Sequence, residues 1–465
     1  MSSSFFGCLS VEGGVTITVK THTFYVFSSI LNVMPINAPP YLHFDVRHKL
    51  FFVLALCLLT VAPDSSFATE LSANRFKLNG FLTVGALKSG TKNLGYRRDI
   101  SGEGVFDGDW SLKPDTRLGL QLSGNVSEKL DATVQLILKD RTDNGFEESI
   151  EWAYLRYRLS PHTTIRAGRL GFEIFMLSDY RDLGFAYLWA RPPIEFYAPI
   201  AFDYIDGIDI RYSATLGAGM LKTTLFAGSS DAPLDLEEVG DELLLNNMLG
   251  LAVSWELERW QVRFTVVSAE LDDDIDKSLG LKVLTDKLSA ASPFWPDASP
   301  LSAELNDNDE DIMYYSAGIS YDYDSWFAQS EVMYLDSGHH VLKSYFSRYL
   351  SVGYRTGDAT LFVTIAKGES SESRDSIPEL PAALALVPGL SELQEGLQTF
   401  YNLNYIEQET ASLGMRWDIR YDIALKLQWD RTWVEEFGGL LWAQKNGPSE
   451  EEAIDTYSIN LNYIF

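Results

Sequence analysis

The sequence predicts an all-β fold, a 16-stranded antiparallel transmembrane β-barrel with short turns at one end and long loops at the other. Three observations predict it: repeated segments of alternating polarity, connections that alternate short and long, and the final stretch YSINLNYIF, Tyr457 to Phe465. There Tyr457, Ile459, Leu461, Tyr463 and Phe465 share one face of a strand, and Ser458, Asn460 and Asn462 share the other. Such an apolar end, on a chain of net charge −28, fits a strand paired inside a soluble sheet. It also fits the closing strand of a membrane barrel with its apolar face toward lipid.

Period-2 segments of the length a tilted membrane strand needs occur in sixteen places. They run over 75–87, 115–124, 129–139, 150–159, 163–170, 206–216, 220–227 and 247–257, then 259–268, 312–322, 325–335, 347–357, 359–367, 408–418, 422–432 and 455–465. Leu118/Leu120/Leu122 and Trp260/Val262/Phe264/Val266 show the alternation, with Arg, Gln, Thr, Ser and Gly in the opposite phase. Short turns are expected near Gly124-Asn125, Ser160-Pro161, Gly217-Ala218, Glu258, Tyr323-Asp324, Gly357-Asp358 and Arg420-Tyr421. Between them fall long loops, at 88–114, 140–149, 171–205, 228–246, 269–311, 336–346, 368–407 and 433–454. Strict alternation of this kind sorts short turns to the periplasmic side and long loops outside, with an even strand number. A closed barrel also leaves no backbone edge unpaired in hydrocarbon. Trp255, Tyr321, Trp326, Tyr334, Trp429 and Tyr463 lie toward strand ends, where interfacial aromatic girdles belong.

The N-terminal region fits export. Arg47-His-Lys49 precedes the apolar run Leu50 to Ala62, which is too short to span a bilayer, and Ser66-Phe67-Ala68 supplies small residues for cleavage after Ala68. Residues 1–68 are therefore expected to be a signal peptide, with Met34 as the true start and 1–33 a start-site error. The barrel domain is then 69–465, beginning at Thr69. Both cysteines, Cys8 and Cys57, fall in the part removed, so the mature chain has neither disulfides nor thiolate metal sites. So acidic a chain argues against nucleic acid as a partner. No later apolar run is long enough for a membrane helix.

With the signal peptide and the strand count, the terminal pattern Tyr457, Ile459, Leu461, Tyr463 and Phe465 resembles the C-terminal assembly signature of Gram-negative outer-membrane proteins. The mature chain looks like a bacterial porin. The stretches RAGRLGFEIFMLSDY (Arg166 to Tyr180) and WARPPIEFYAP (Trp189 to Pro199) are similar to the phosphate-selective and specific porin branch. The resemblance implies Sec-dependent export to the bacterial outer membrane and insertion by the barrel assembly machinery. It also implies contact with outer-membrane lipid and lipopolysaccharide, a homotrimer, and passive diffusion of small hydrophilic solutes and ions. It further implies that 171–205 folds into the barrel as a constriction, although the Pro-Glu-Phe-Gly-Gly loop motif of enteric general porins is missing.

A pore's chemistry lies in its lumenal charges. In the first half, the phase opposite the lipid face carries Arg117, Lys139, Arg156, Arg158, Arg166, Arg211 and Lys222, with Asp209 the one acid well inside these strands. These bases are either solvated lumenal charges or an electrostatic track that favours anions. The second half mixes Arg263, Arg355, Arg416 and Lys426 with Glu256, Glu331, Asp418 and Asp430. The constriction segment brings Glu173, Asp179, Arg181, Asp182, Arg191, Glu195 and Asp203. Its Phe172, Phe175, Leu188, Trp189, Phe196 and Tyr197 would be costly in a solvated loop and sensible against an inner wall. Loop 228–246 holds six carboxylates and no base, and 269–311 holds twelve with three lysines. These are a repulsive outer surface or sites where divalent cations bridge loops or lipopolysaccharide; no other cofactor is expected. His162, His339 and His340 are the only histidines after the leader, and no hydrolase, metalloprotease or phosphate-loop motif occurs. The competing reading is an outer-membrane barrel enzyme of protease or lipase type, which would need a catalytic set that this sequence does not present. An energised receptor would need a plug domain and about 22 strands.

Overall fold

A computed structural model describes residues 76–465, apart from 92, 103, 107, 141–148, 237–238, 272–280, 307–310, 338–342, 372–376, 379, 381–383, 385–386, 404 and 445–448; of the first 75 it describes 9–11 and 15–17. Those two short segments pair as an antiparallel hairpin. The signal peptide with its cleavage point after Ala68, and the His339-His340 pair, lie outside the described residues.

The sixteen long strands are β1 (Phe76–Ser89), β2 (Arg117–Asn125), β3 (Leu130–Leu138), β4 (Ile150–Arg158), β5 (Thr163–Gly171), β6 (Tyr204–Leu216), β7 (Gly219–Leu236) and β8 (Val239–Glu256). They continue as β9 (Trp260–Leu271), β10 (Asp311–Tyr323), β11 (Trp326–Ser337), β12 (Tyr345–Thr356), β13 (Ala359–Ser370), β14 (Ile406–Arg420), β15 (Ile423–Gly439) and β16 (Glu452–Ile464). Each pairs antiparallel with its sequence neighbours, and β16 pairs with β1 to close the barrel. A two-residue segment, Trp110–Ser111, also pairs with β1, above β2.

Polarity is inverted relative to a soluble barrel. The outward phase leaves large apolar side chains exposed, among them Leu122, Leu155, Ile210, Leu225, Phe264, Leu350, Val363 and Leu413. The inward phase buries Arg117, Gln135, Asp209, Glu331, Ser347, Thr364, Gln408 and Lys426. At the short-turn end aromatics pair across strands, exposed Trp260 with half-buried Tyr321 at 4.6 Å and exposed Trp326 with exposed Tyr354 at 4.9 Å between ring centroids. Tyr315, Trp429, Trp433 and Tyr457 are exposed at the other end. From Tyr315 to Tyr323 along β10 is roughly 26 Å at about 3.3 Å per residue. The six aromatics expected at strand ends divide between these two belts, although Tyr463 is buried beside Phe465, its ring stacked on it at 5.5 Å.

Phe465 ends the chain on the seam. Its amide donates to the Gly80 carbonyl (2.9 Å), and the Gly80 amide donates to its carbonyl (2.8 Å). A Cβ on Gly80 would stand 2.3 Å from the Phe465 ring, so only glycine lets the ring lie over β1.

The structure corrects the expected connections in four places; in one, β15 runs on to Gly439, seven residues into the expected loop 433–454. Residues 228–246 are not a loop: β7 and β8 continue past the barrel as one long hairpin, pairing out to Leu236 and Val239. The alternation Ala232/Leu234/Leu236 and the buried Leu243 and Leu245 support this extension despite the acids. The first short turn is at 126–129 rather than Gly124-Asn125, which belong to β2. Two long loops contain helices: α2 (Leu281–Ala291) and α3 (Ala298–Asn306) in one, α4 (Leu390–Leu403) in the other; α1 (Ile194–Tyr197) lies within 171–205. Leu288, Trp295, Leu301, Leu393, Leu397 and Tyr401 from the two helical loops share an apolar core of their own. The period-3.6 pattern of Leu390, Leu393, Leu397 and Tyr401 was present in the sequence but lay among charges.

Candidate functional site

Residues 172–203 connect β5 to β6 and lie along the inner wall. Phe172, Phe175, Trp189, Phe196 and Tyr197 are buried, as their composition predicts. On one side of the lumen they meet wall aromatics: Tyr349 lies 5.3 Å from Phe196, 6.0 Å from Tyr197 and 5.8 Å from Trp189. The Trp189 indole donates to Ser351 and Thr364 (2.9 and 3.0 Å).

Polar anchors hold the rest. Glu331 accepts from the Met176 amide (2.8 Å), from Tyr349 (2.6 Å) and from Tyr197. Lys426, fully buried on β15, donates to the carbonyls of Tyr187 (2.5 Å), Trp189 (2.7 Å) and Gly184. Arg416 donates to the Phe185 and Tyr187 carbonyls (2.7 and 3.0 Å). Gln428 accepts from the Ala190 amide (2.8 Å), and Arg191 pairs with Asp430 (2.7 Å). The Asn460 amide group donates to the Ala190 carbonyl (2.8 Å). These contacts tie the segment to the second half of the wall, from β11 to β16.

The basic residues read from the sequence do face inward, but each has an acidic counterpart. Arg117 pairs with Asp182 (3.0 Å). Lys139 sits among Glu151, Asp182 and Asp203 at 3.2, 3.2 and 2.6 Å. Those three carboxylates are close enough together to hold a metal ion, and the Lys139 ammonium occupies the centre that an ion would take. Arg166 pairs with Asp209 (2.9 Å) and Glu173 (3.5 Å). Arg211 pairs closely with Glu173, which also meets Arg263 at 3.4 Å. Arg156 and Arg158 share Asp131 at 2.8 and 3.1 Å, with side chains more than two-fifths exposed near the short-turn end. Of the segment's other charges, Arg181 approaches Asp203 (3.8 Å) and Asp179 is exposed. Glu195 is fully buried, accepting from Gln408 (2.6 Å) and Thr410.

Burial is opposed on two of these acids, by cations at Asp182 and by hydrogen bonds at Glu195, with opposite outcomes. Burial opposes ionisation of Asp182, yet Lys139, Arg98 and Arg117 outweigh it and hold its pKa well below the usual carboxylate range. Burial raises the pKa of Glu195, and the hydrogen bonds from Thr410 and Gln408 offset that only in part. The Asp182 anchor is therefore present at neutral pH and is lost only when the pH falls through its depressed value. The Glu195 contact favours the protonated acid and weakens as pH rises through its elevated value.

The connection between β1 and β2 also reaches inside, which no alternation signals. Tyr96 packs edge-on against Trp442 at 5.6 Å, Arg97 donates to the Leu440 and Leu441 carbonyls, and Asp115 is fully buried. The inward Ser458, Asn460 and Asn462 were legible only as the polar phase of the last strand.

These features define a closed barrel, apolar outside, whose polar interior is narrowed by an inserted segment. No protein-family model matches the chain, and no curated protein sequence does. Among solved structures it is similar to OmpF of Salmonella typhi in complex with daunomycin (8% identity, covering 84% of this chain and 97% of that one, TM-score 0.49). It is also similar to the anion-selective porin from Comamonas acidovorans (12%, 84% and 99%, 0.48) and to the outer-membrane channel DcaP of Acinetobacter baumannii (13%, 85% and 99%, 0.47).

Proposed function

We propose that the chain is an outer-membrane diffusion channel for small hydrophilic solutes and ions, narrowed by residues 171–205. The observation that carries this reading is the inverted polarity: exposed leucines, valines and aromatics outside, ion pairs and amides inside. A soluble barrel has no use for that arrangement. The reading includes Sec export with removal of residues up to Ala68, insertion by the assembly machinery, a homotrimer, and lipopolysaccharide contact through acidic loops bridged by divalent cations. Fractionation should find the protein in outer membranes, and the purified protein should form stable conducting events in planar bilayers. A protein that stays in the soluble fraction and conducts nothing would overturn it.

In this reading Arg156 and Arg158 set the potential at the short-turn mouth. Because Asp131 matches them, their anion preference is mild. Replacing both by Gln leaves Asp131 uncompensated and should shift the reversal potential toward cations in dilute salt. The shift should vanish near 1 M salt, where screening reduces their reach to about 3 Å. An unchanged reversal potential in dilute salt would remove both from the selectivity argument.

A further inference from the structure

A groove of about 380 Å³ crosses the outer wall from β8 to β12. Leu251, Phe264, Val266, Ala317 and Val332 form its apolar bed, and Tyr315, Tyr334 and Phe346 close its upper end. Those three rings lie in the aromatic belt nearest the long loops. On β12 and β13 the belt is interrupted by charge. Arg348 alternates with buried Ser347 and Tyr349, and Lys367 continues the outward phase of Val363 and Ile365. The two cations stand directly opposite each other in the register, and Arg348 stands opposite the groove residue Val332 on its other side. The Arg348 guanidinium lies 5.2 Å from the centre of the Phe346 ring. Both cations share one carboxylate, Glu369, at 3.1 Å from Arg348 and 2.6 Å from Lys367. Like charges set directly opposite weaken a sheet, whereas lipid-facing cations are tolerated where they reach headgroups.

From this juxtaposition we infer that the groove seats an acyl chain of lipopolysaccharide, with a phosphate of its lipid anchor between Arg348 and Lys367. This rests on the channel reading, which turns the long-loop end outward, and adds a defined wall site to the loop contact. The groove supplies apolar surface to the chain, and the cation pair supplies charge-assisted donors to the phosphate. The aromatics favour a lipid here over a second copy of the chain. Trp260, Tyr321, Trp326 and Tyr354 lie at the lower ends of β9 to β12, and Tyr315 and Tyr334 at the upper ends of β10 and β11. These strands therefore carry both belts that mark contact with a bilayer. The charge pattern favours this lipid over a glycerophospholipid. Beyond Lys367, a recess lined by Glu407, Glu409, Glu435 and Trp433 presents carboxylates to the divalent counterions that bridge lipopolysaccharide phosphates. A lipid with a single phosphate uses only the basic half of that pattern.

The test titrates the detergent-purified protein with lipid A, the phosphorylated glucosamine anchor of lipopolysaccharide, and counts bound lipid by native mass spectrometry. Wild type should bind lipid A about tenfold more tightly than dephosphorylated lipid A or phosphatidylglycerol, the worth of one charge-assisted contact. Replacing Arg348→Gln and Lys367→Gln together should abolish that preference. Ala317→Trp, which fills the groove, should weaken binding of lipid A with or without its phosphates. Both variants should keep the unboiled-gel migration and the conductance of wild type. A preference that survives the double substitution overturns the phosphate contact, and wild-type binding by Ala317→Trp overturns the groove. Should either variant fail to form a barrel, wild type still decides: equal binding of lipid A and its dephosphorylated form overturns the contact, and equal binding of phosphatidylglycerol overturns the choice of lipid. Wild type that conducts without these preferences fails the site alone, whereas wild type that neither enters bilayers nor conducts fails the channel reading.

Discussion

Lys426→Met should release the middle of the inserted segment and raise single-channel conductance, with added current noise. Three carbonyls, those of Gly184, Tyr187 and Trp189, converge on this one fully buried ammonium. Methionine keeps the length of the side chain and none of its donors. Each buried carbonyl left without its donor costs about 1–3 kcal/mol, which disfavours the packed position. The barrel itself should persist. Lys426 sits opposite Asn460 in the β15–β16 register, and neither faces the outer surface. The check is bilayer recording beside an unboiled-gel assay for barrel integrity. Wild-type conductance and noise in the variant would mean that the segment is held elsewhere.

Deleting Phe465 should sharply lower the amount of protein assembled in the membrane and leave the conductance of each assembled channel unchanged. The residue contributes two backbone hydrogen bonds across the seam and a ring lying over Gly80. Without it, the closing strand loses its last pairing, and an unpaired strand end in hydrocarbon costs several kcal/mol per backbone group. Gly80→Leu, which blocks the same ring, should give the same phenotype with the terminus intact. Normal membrane levels in the deletion under native expression would remove Phe465 from assembly.

Strands were the most legible part of the molecule because period 2 is a local property. All sixteen were located, thirteen of them to within three residues at each end, while β7, β8 and β15 run seven to nine residues further than their alternation indicates. The hairpin of β7 and β8 was missed at its tip because Asp231, Asp235 and Asp241 look like loop residues. Helices α2 to α4 were missed because their apolar spacing is short and interrupted. In the interior, Arg117, Lys139, Arg166 and Arg211 were found by phase alone, since charge opposite a greasy face must point inward. Phase says nothing about partners. Asp182 and Glu173, which neutralise those bases, come from a segment whose fold is set by contacts across the lumen. Tyr96 carried no signal, because the β1–β2 connection has no period to read, and Asp115 was legible only as the inward-phase start of the segment 115–124.

The apolar core shared by α2, α3 and α4 has an evolutionary consequence. A loop at the long-loop end without such a core could change at any position. This region cannot, because Leu288, Trp295, Leu397 and Tyr401 must continue to meet. Drift here should be striped, with substitutions accumulating on the wet faces of the helices and pausing every three or four residues.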